Sequence, residues 1–254
     1  MILSVNIGNT NTSIGFLKDN KIKAVKYPSD LLLSKENFTR AVELSLNEKT
    51  DNVTGIIISS VNPRLTKHIE TAAEGIFGIT PLTVKPSMKM KLDLSNYPAS
   101  TIGSDRIAVC EAAVNKYELP LIVFDFGTAT TINVVDSNAC FIGGSILPGI
   151  ATGINALAKD TALISSVELS SPTPLIGRNT DECVLSGAVF GAATILEGMS
   201  SRIEKELSAK ATIIITGGNA KYVLPLLDKN KVINAPDLLP EGLNILYESN
   251  VVKG

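Results

Sequence analysis

Short apolar runs separated by turn residues open the chain. Ile2 to Val5, Ser13 to Leu17 and Ile22 to Tyr27 read as three strands, with Lys18, Asp19 and Asn20 supplying the second turn. The period then changes. Phe38, Ala41, Val42 and Leu46 recur at helical spacing behind Ser34, a good N-cap, and predict a helix from about Lys35 to Asn47. Val53 to Ser60 reads as a buried strand, TKHIETAAEGIF as a helix and ITPLTV as a short strand, and a further helix runs from Asp105 to about Lys116.

The second half repeats this order. LIVFDF, TTINVVD and ACFIGGSI make three strands, and Asn155 to Ala158 fall in a short helix after the PGI turn. Gly143, Gly144 and Gly149 with Pro148 are placed to bend the third of these strands. A long helix begins near Thr180, where Asp181 and Glu182 suit the positive end of the helix dipole. Leu185, Ala188, Val189, Ala192, Leu196, Met199 and Ile203 then form one apolar stripe. ATIIIT is the next strand, and it ends at TGGNAKYV as the earlier one ended at SSVNPRL. A duplicated β-β-β-α-β-α-β-α unit accounts for both halves. The expected boundary lies near Leu119 and Pro120, giving domains 1–118 and 119–254.

Chemistry concentrates in the first turn of each half. VNIGNTNTSIG and FDFGTATTINV each place an apolar run, then Asn6 or Asp125, one residue, a Gly, and a cluster of Thr and Asn before a second apolar run. Such a hairpin lets backbone N–H groups and hydroxyls approach a phosphate. Two of them facing each other would grip a nucleotide polyphosphate in a cleft between the halves, the default ligand site. Tandem units of this kind are the actin-like (ribonuclease H-like) α/β architecture of sugar kinases and Hsp70-type ATPases. The copies differ at one chemically important place, where the first has Asn6 and the second Asp125.

Composition narrows the partners. The 254 residues are 44% hydrophobic, enough for buried cores, and the net charge of -2 leaves no basic footprint for nucleic acid. The longest uninterrupted apolar stretches are strand-sized, and Met1 runs straight into the first strand without room for a leader, so no membrane association and a cytoplasmic location are expected. Cys110, Cys140 and Cys183 have no metal spacing and read as reduced, buried thiols. His68, the sole histidine, reads as a solvated helix residue, which argues against histidine-based nucleophilic catalysis.

Seven short motifs in order make the whole chain resemble the type III pantothenate kinases. They are NIGNTNTS (Asn6 to Ser13), SSVNP (Ser59 to Pro63), GSDR (Gly103 to Arg106), DFGTATT (Asp125 to Thr131), GGSILPGI (Gly143 to Ile150), GRNT (Gly177 to Thr180) with SGAVFG after it, and TGG (Thr216 to Gly218). The resemblance implies phosphorylation of pantothenate by Mg-ATP, the first committed step toward coenzyme A, in a homodimer. By the same resemblance Asp105 is the general base, and Arg106 holds the polar end of the substrate beside Gly103 and Ser104. The nucleotide contacts fall on Asn6, Ile7, Gly8, Asn9, Thr10, Asn11, Thr12, Ser13 and Thr128, with Gly217 and Gly218 on the adenosine side. Asp125 is implied to coordinate a monovalent cation, potassium or ammonium. Tyr97 and Thr180 match positions lining the pantothenate pocket, the threonine reaching it from the partner subunit.

From the residues alone, GSDR reads first as a helix start and TGG as a turn, and a buried structural tyrosine is an alternative for Tyr97. At Asn6 the chain departs from the family pattern, which has an aspartate that helps place magnesium. An amide keeps an oxygen acceptor and loses the negative charge. Three readings of the departure stay open: natural divergence, deliberate alteration, or a member that binds nucleotide without fast turnover. The rival functions are accordingly a nucleotide- or pantothenate-binding regulatory paralogue and a kinase of the same fold acting on a sugar or short acid.

Overall fold

Each half of the chain builds its sheet from three antiparallel strands extended by two parallel ones. The computed structural model describes residues 1–18, 21–46, 52–164, 167–170 and 174–251. The proposed turn residues Asp19 and Asn20, and the helix end at Asn47, lie outside them. Two units are distinguished, one formed by Met1–Lys116 together with the segment from Asp237 onward, the other by Tyr117–Pro236.

In the first unit, β1 (Ile2–Ile7), β2 (Asn11–Lys18) and β3 (Lys21–Pro28) lead through a 3₁₀ turn, Ser29–Leu33, to α1 (Lys35–Leu46). Next come β4 (Gly55–Ser60), α2 (Pro63–Phe77), β5 (Leu82–Thr83) and α3 (Ser104–Lys116), and the sheet order is β3-β2-β1-β4-β5. Leu3, Val5, Ile7, Ile56 and Ile58 pack with Phe38, Val42, Leu65 and Ile69 of α1 and α2 into one apolar core. Asn62 caps α2 by accepting from Leu65 N at 3.2 Å, and Pro63 follows at the first helical position, where no N–H is needed.

The second unit contains β6 (Leu121–Phe126), β7 (Ala129–Val135), β8 (Phe141–Pro148), α4 (Ile150–Asp160), α5 (Thr180–Leu207), β9 (Thr212–Thr216), α6 (Ala220–Val223) and β10 (Ile233–Asn234). Its order, β10-β9-β6-β7-β8, is that of the first sheet. The expected bend in β8 is present. Gly143 and Gly144 take φ of 128° and 152°, the register shifts opposite Val134 and Val135, and a Cβ on Gly144 would lie 1.7 Å from the Ile132 carbonyl oxygen.

The duplication extends to individual hydrogen bonds. Val61 N donates to Ile7 O and Asn219 N to Phe126 O, both at 3.0 Å. Val84 N to Ile58 O matches Ala235 N to Ile215 O at 2.8 Å, and Thr54 N to Met1 O matches Thr212 N to Pro120 O at 2.9 Å.

Four sequence expectations change. Residues 237–254 were expected in the second half, but α7 (Leu238–Asn250) packs with α3 in the first unit. The fit is tight: a Cβ on Gly242 would sit 1.8 Å from Ala108 O, and one on Gly55 would overlap the Tyr247 hydroxyl. His68 is half-buried rather than solvated, because α2 packs on α1, and its Nε2 is buried without a hydrogen-bond partner. Cys110 and Cys140 are buried, and burial pushes the Cys110 thiol up to about 12, but Cys183 is exposed near the start of α5. Finally, α5 is long and apolar enough by length and composition to cross a membrane, with a mean hydropathy of 1.5. One third (33%) of that apolar window is buried, and Val184, Ala193 and Leu196 of this helix join the apolar core of the second unit.

Candidate active site

The first hairpin places Asn6 at the carboxyl end of β1, paired with Ser13 on β2 and Ser59 on β4. Open α/β sheets bind ligands at this end. Gly8, Asn9 and Thr10 form the loop, closed by Gly8 N donating to Asn11 O at 3.0 Å. A Cβ on Gly8 would lie 2.7 Å from that same oxygen, so the tight closure needs glycine. Asn9, Thr10 and Asn11 are exposed, and Asn6 and Ser13 are half-buried. Ile7 and Thr12 point inward. The Ile7 side chain joins the core, and Thr12 Oγ1 is buried 2.9 Å from Ser29 Oγ. Among the predicted nucleotide residues, then, the side chains of Ile7 and Thr12 are structural, while the rest of the loop lies open.

Two helices begin beside the end of β4. Ser60 Oγ accepts from Asn62 N at 3.0 Å and from Thr66 Oγ1 at 2.6 Å, holding α2. Ser104 Oγ lies 2.9 Å from Ser59 Oγ, accepts from Ser60 N at 2.8 Å and reaches Ser60 O at 2.9 Å, docking the start of α3. The Ser104 hydroxyl is therefore engaged with the end of β4.

Asp105, next in sequence, is half-buried, and Arg106 N donates to its Oδ1 at 2.8 Å. A Cβ on Gly103 would come within 2.5 Å of Asp105 Oδ1, so only glycine leaves the carboxylate its place. Burial raises the Asp105 pKa above the ordinary aspartate value, against the lowering effect of the Arg106 amide and guanidinium. Arg106 itself is buried. Tyr97 is half-buried in the segment before α3, its amide bonded to Leu94 O at 3.1 Å. That segment is anchored by Glu111 of α3, which accepts from Lys91 N at 3.1 Å and Leu92 N at 2.9 Å.

In the second unit Asp125 holds the place of Asn6, paired with Thr131 on β7 and Thr216 on β9. Gly217 follows β9 with φ 92°, and a Cβ there would lie 2.4 Å from Asp125 Oδ1 and 2.6 Å from Phe126 N. The TGG turn thus approaches the Asp125 carboxylate as only glycine can, with Gly218 exposed beside it. Thr128 is exposed at the loop tip, and its carbonyl accepts from Gly149 N at 2.9 Å and Thr152 Oγ1 at 2.7 Å.

Thr180 begins α5, whose amides are capped by Asn179 Oδ1 accepting from Glu182 N at 2.9 Å. It does not join the Asp125 cluster directly. It lies instead on a largely apolar cavity of about 620 Å³ that also touches Phe126, Thr130 and Gly149 behind the second hairpin. On α5 the cavity is lined by Ala188 and Ala192 of the expected stripe and by Cys183, Gly187, Gly191 and Ile195, a second stripe beside it. Small residues repeating every fourth position were its sequence signal.

Among the described residues no group of three or more His, Cys, Asp or Glu is placed to cage a metal. Magnesium bound mostly by nucleotide phosphates and water needs only one or two protein oxygens. Asn6 with Ser13, and Asp125 with Thr131, offer hard oxygen donors of that kind at the two strand ends.

Two five-stranded sheets of one order, each with a glycine hairpin after its first strand, define the actin-like class of ATPases and sugar kinases. A ROK family glucokinase from Streptomyces griseus shares this fold, with a TM-score of 0.51 over 97% of this chain and 98% of that one at 12% identity. A family model described as type III pantothenate kinase matches residues 2–202. Proteins of that name from Sulfurihydrogenibium sp. (36% identical, covering 91% of this chain and 94% of that protein) and Thermomicrobium roseum (35% identical, 98% and 97%) are similar along nearly their full length. The chain belongs to the type III pantothenate kinase family.

Proposed function

We propose that this protein transfers the γ-phosphoryl group of ATP to the 4'-hydroxyl of pantothenate, and that Asp105 is the general base. The carrying observation is the Asp105 carboxylate, made more basic by burial and held at the start of α3, in a chain of this family. Its raised proton affinity suits removal of the hydroxyl proton. The substrate oxygen forms a bond to the γ-phosphorus, the bond to ADP breaks, and the proton passes to Asp105. Such transfer rests mainly on positioning and charge neutralisation. Each hairpin loop offers backbone N–H groups to phosphate, Arg106 suits the polar end of pantothenate, and Gly217 and Gly218 permit close approach of an adenosine. Magnesium, when bound with ATP, neutralises phosphate charge, with Asn6 a weaker donor than a carboxylate. The Asp125 carboxylate beside Gly217 suits a monovalent cation, potassium or ammonium.

A second copy of the chain is the proposed occupant of the apolar cavity beside α5, where Gly187 and Gly191 leave room for close approach and Leu163, Leu175 and Ile176 are exposed nearby in sequence. Thr180 and Tyr97 then contribute to pantothenate pockets in a homodimer, and the expected location is the cytoplasm. The regulatory paralogue rests on Asn6 alone, and the kinase names of the relatives do not favour it. Incubation with Mg-ATP, potassium and pantothenate should yield phosphopantothenate and ADP in equal amounts. ADP release at the same rate without pantothenate would leave only an ATPase.

A further inference from the structure

Both hairpin loops are tied from behind by the segment that follows the third strand of their unit. In the first, Ser29 N donates to Thr10 O at 2.9 Å, and the buried Ser29 Oγ donates to Gly8 O at 2.8 Å while touching Thr12 Oγ1. In the second, Gly149 N and Thr152 Oγ1 both donate to Thr128 O. Asn219 Nδ2 adds a bond to Gly127 O at 3.2 Å. These ties have a directional consequence. A trans peptide is planar, so the N–H of each residue points opposite to the carbonyl before it. Drawing the Gly8 and Thr10 carbonyls toward Ser29 turns the Asn9 and Asn11 amides the other way. Drawing the Gly127 and Thr128 carbonyls inward does the same for the Thr128 and Ala129 amides. An anion-binding loop needs this polarity, with its oxygens hidden and its N–H groups presented.

We propose that Ser29 and Thr152 are positioning residues for phosphoryl transfer, acting through the carbonyls of the two loops without touching the nucleotide. The inference rests on the phosphate-binding reading above. Neither residue belongs to a phosphate-loop pattern. They are found only by asking where the loop carbonyls go.

The test uses the full chain with Ser29→Ala and, separately, Thr152→Ala, the latter at an exposed position. Each should raise KM for MgATP and weaken equilibrium ADP binding by about fivefold to tenfold, the scale of one lost hydrogen bond. KM for pantothenate and the binding of adenosine, which has no phosphate, should stay unchanged. Ser29→Thr and Thr152→Ser should restore ADP binding to within about twofold, since each keeps the hydroxyl. ADP affinity equal to wild type in both alanine variants, or ADP and adenosine weakened alike, would overturn the positioning role and leave kinase function intact. A wild-type protein that binds no ADP would overturn both.

Discussion

Asn6 and Asp125 stand at the same place in two copies of one frame, each flanked by an antiparallel strand on one side and a parallel strand on the other. The backbone bonds around them match pair by pair. The hairpins nevertheless differ in length and charge. Ile7 pairs with Thr12, whereas Phe126 pairs with Thr130, so the second loop is one residue shorter, and only the second bears a carboxylate. A frame held by backbone hydrogen bonds is indifferent to side-chain identity, which leaves the strand-end residue free to change charge without changing the fold. The asymmetry extends to the last helix of each repeat. Asp105 at the start of α3 is half-buried and crowded by Gly103, while Asp237, just before α7, is exposed.

The harshest test of this division exchanges those two aspartates separately for asparagine. Asp105→Asn should lower kcat by about 10²- to 10⁴-fold, the usual worth of a general base, while ADP binding persists. Asp237→Asn should leave initial rates at saturating substrates unchanged. Comparable losses in both would mean the two helix starts had not diverged in role.

Restoring charge symmetry comes next in size. Asn6→Asp should improve the rate or MgATP affinity by roughly 10- to 150-fold, if the gain is that of a charge-assisted hydrogen bond of about 1.5–3 kcal/mol. Initial rates against magnesium concentration should show the largest benefit where magnesium is scarce. A slower Asn6→Asp enzyme would indicate that the longer first loop has adapted to the amide.

On the Asp125 side, replacing potassium with sodium at constant ionic strength should lower activity severalfold. An indifferent rate would assign Asp125 to magnesium or to the hairpin.

The smallest expected effect is on stability. Asp105 binds its proton more tightly in the folded than in the unfolded chain, so protonation favours folding. That contribution is fully present below the ordinary aspartate pKa and is lost as pH rises through the raised folded value. The ionised carboxylate carries a desolvation cost that Asp105→Asn removes. Thermal melts should place the variant above the wild type near pH 7, and the two curves should converge as pH falls below the ordinary aspartate pKa. A variant that melts lower at every pH would contradict the desolvation of Asp105.

Much of the frame was legible because it is written twice. Apolar runs such as Gly55–Ser60 and Leu121–Phe126 are buried on both faces, and the hairpin glycines mark the turns. Features decided by tertiary partners were not legible. The partner of α7, the second stripe on α5 and the burial of His68 depend on which helix lands on which. Ser29 is one serine after Pro28, and nothing in its neighbours announces that it grips Gly8 and Thr12. The shorter second loop was hidden as well, since NIGNTNTS and DFGTATT align only once the strand pairing is known.

The return of α7 has a bearing on how the protein is made. Chains emerge from the ribosome in order, and domains generally fold as they appear, the N-terminal one first. Here the first unit cannot close over Gly55 and Ala108 until Gly242 and Tyr247 arrive. At about 5–20 residues per second, synthesis of residues 117–236 leaves that surface bare for roughly ten seconds. The nascent first half, finished in sequence but not in structure, is thus the stage at which a chaperone has an apolar face to hold.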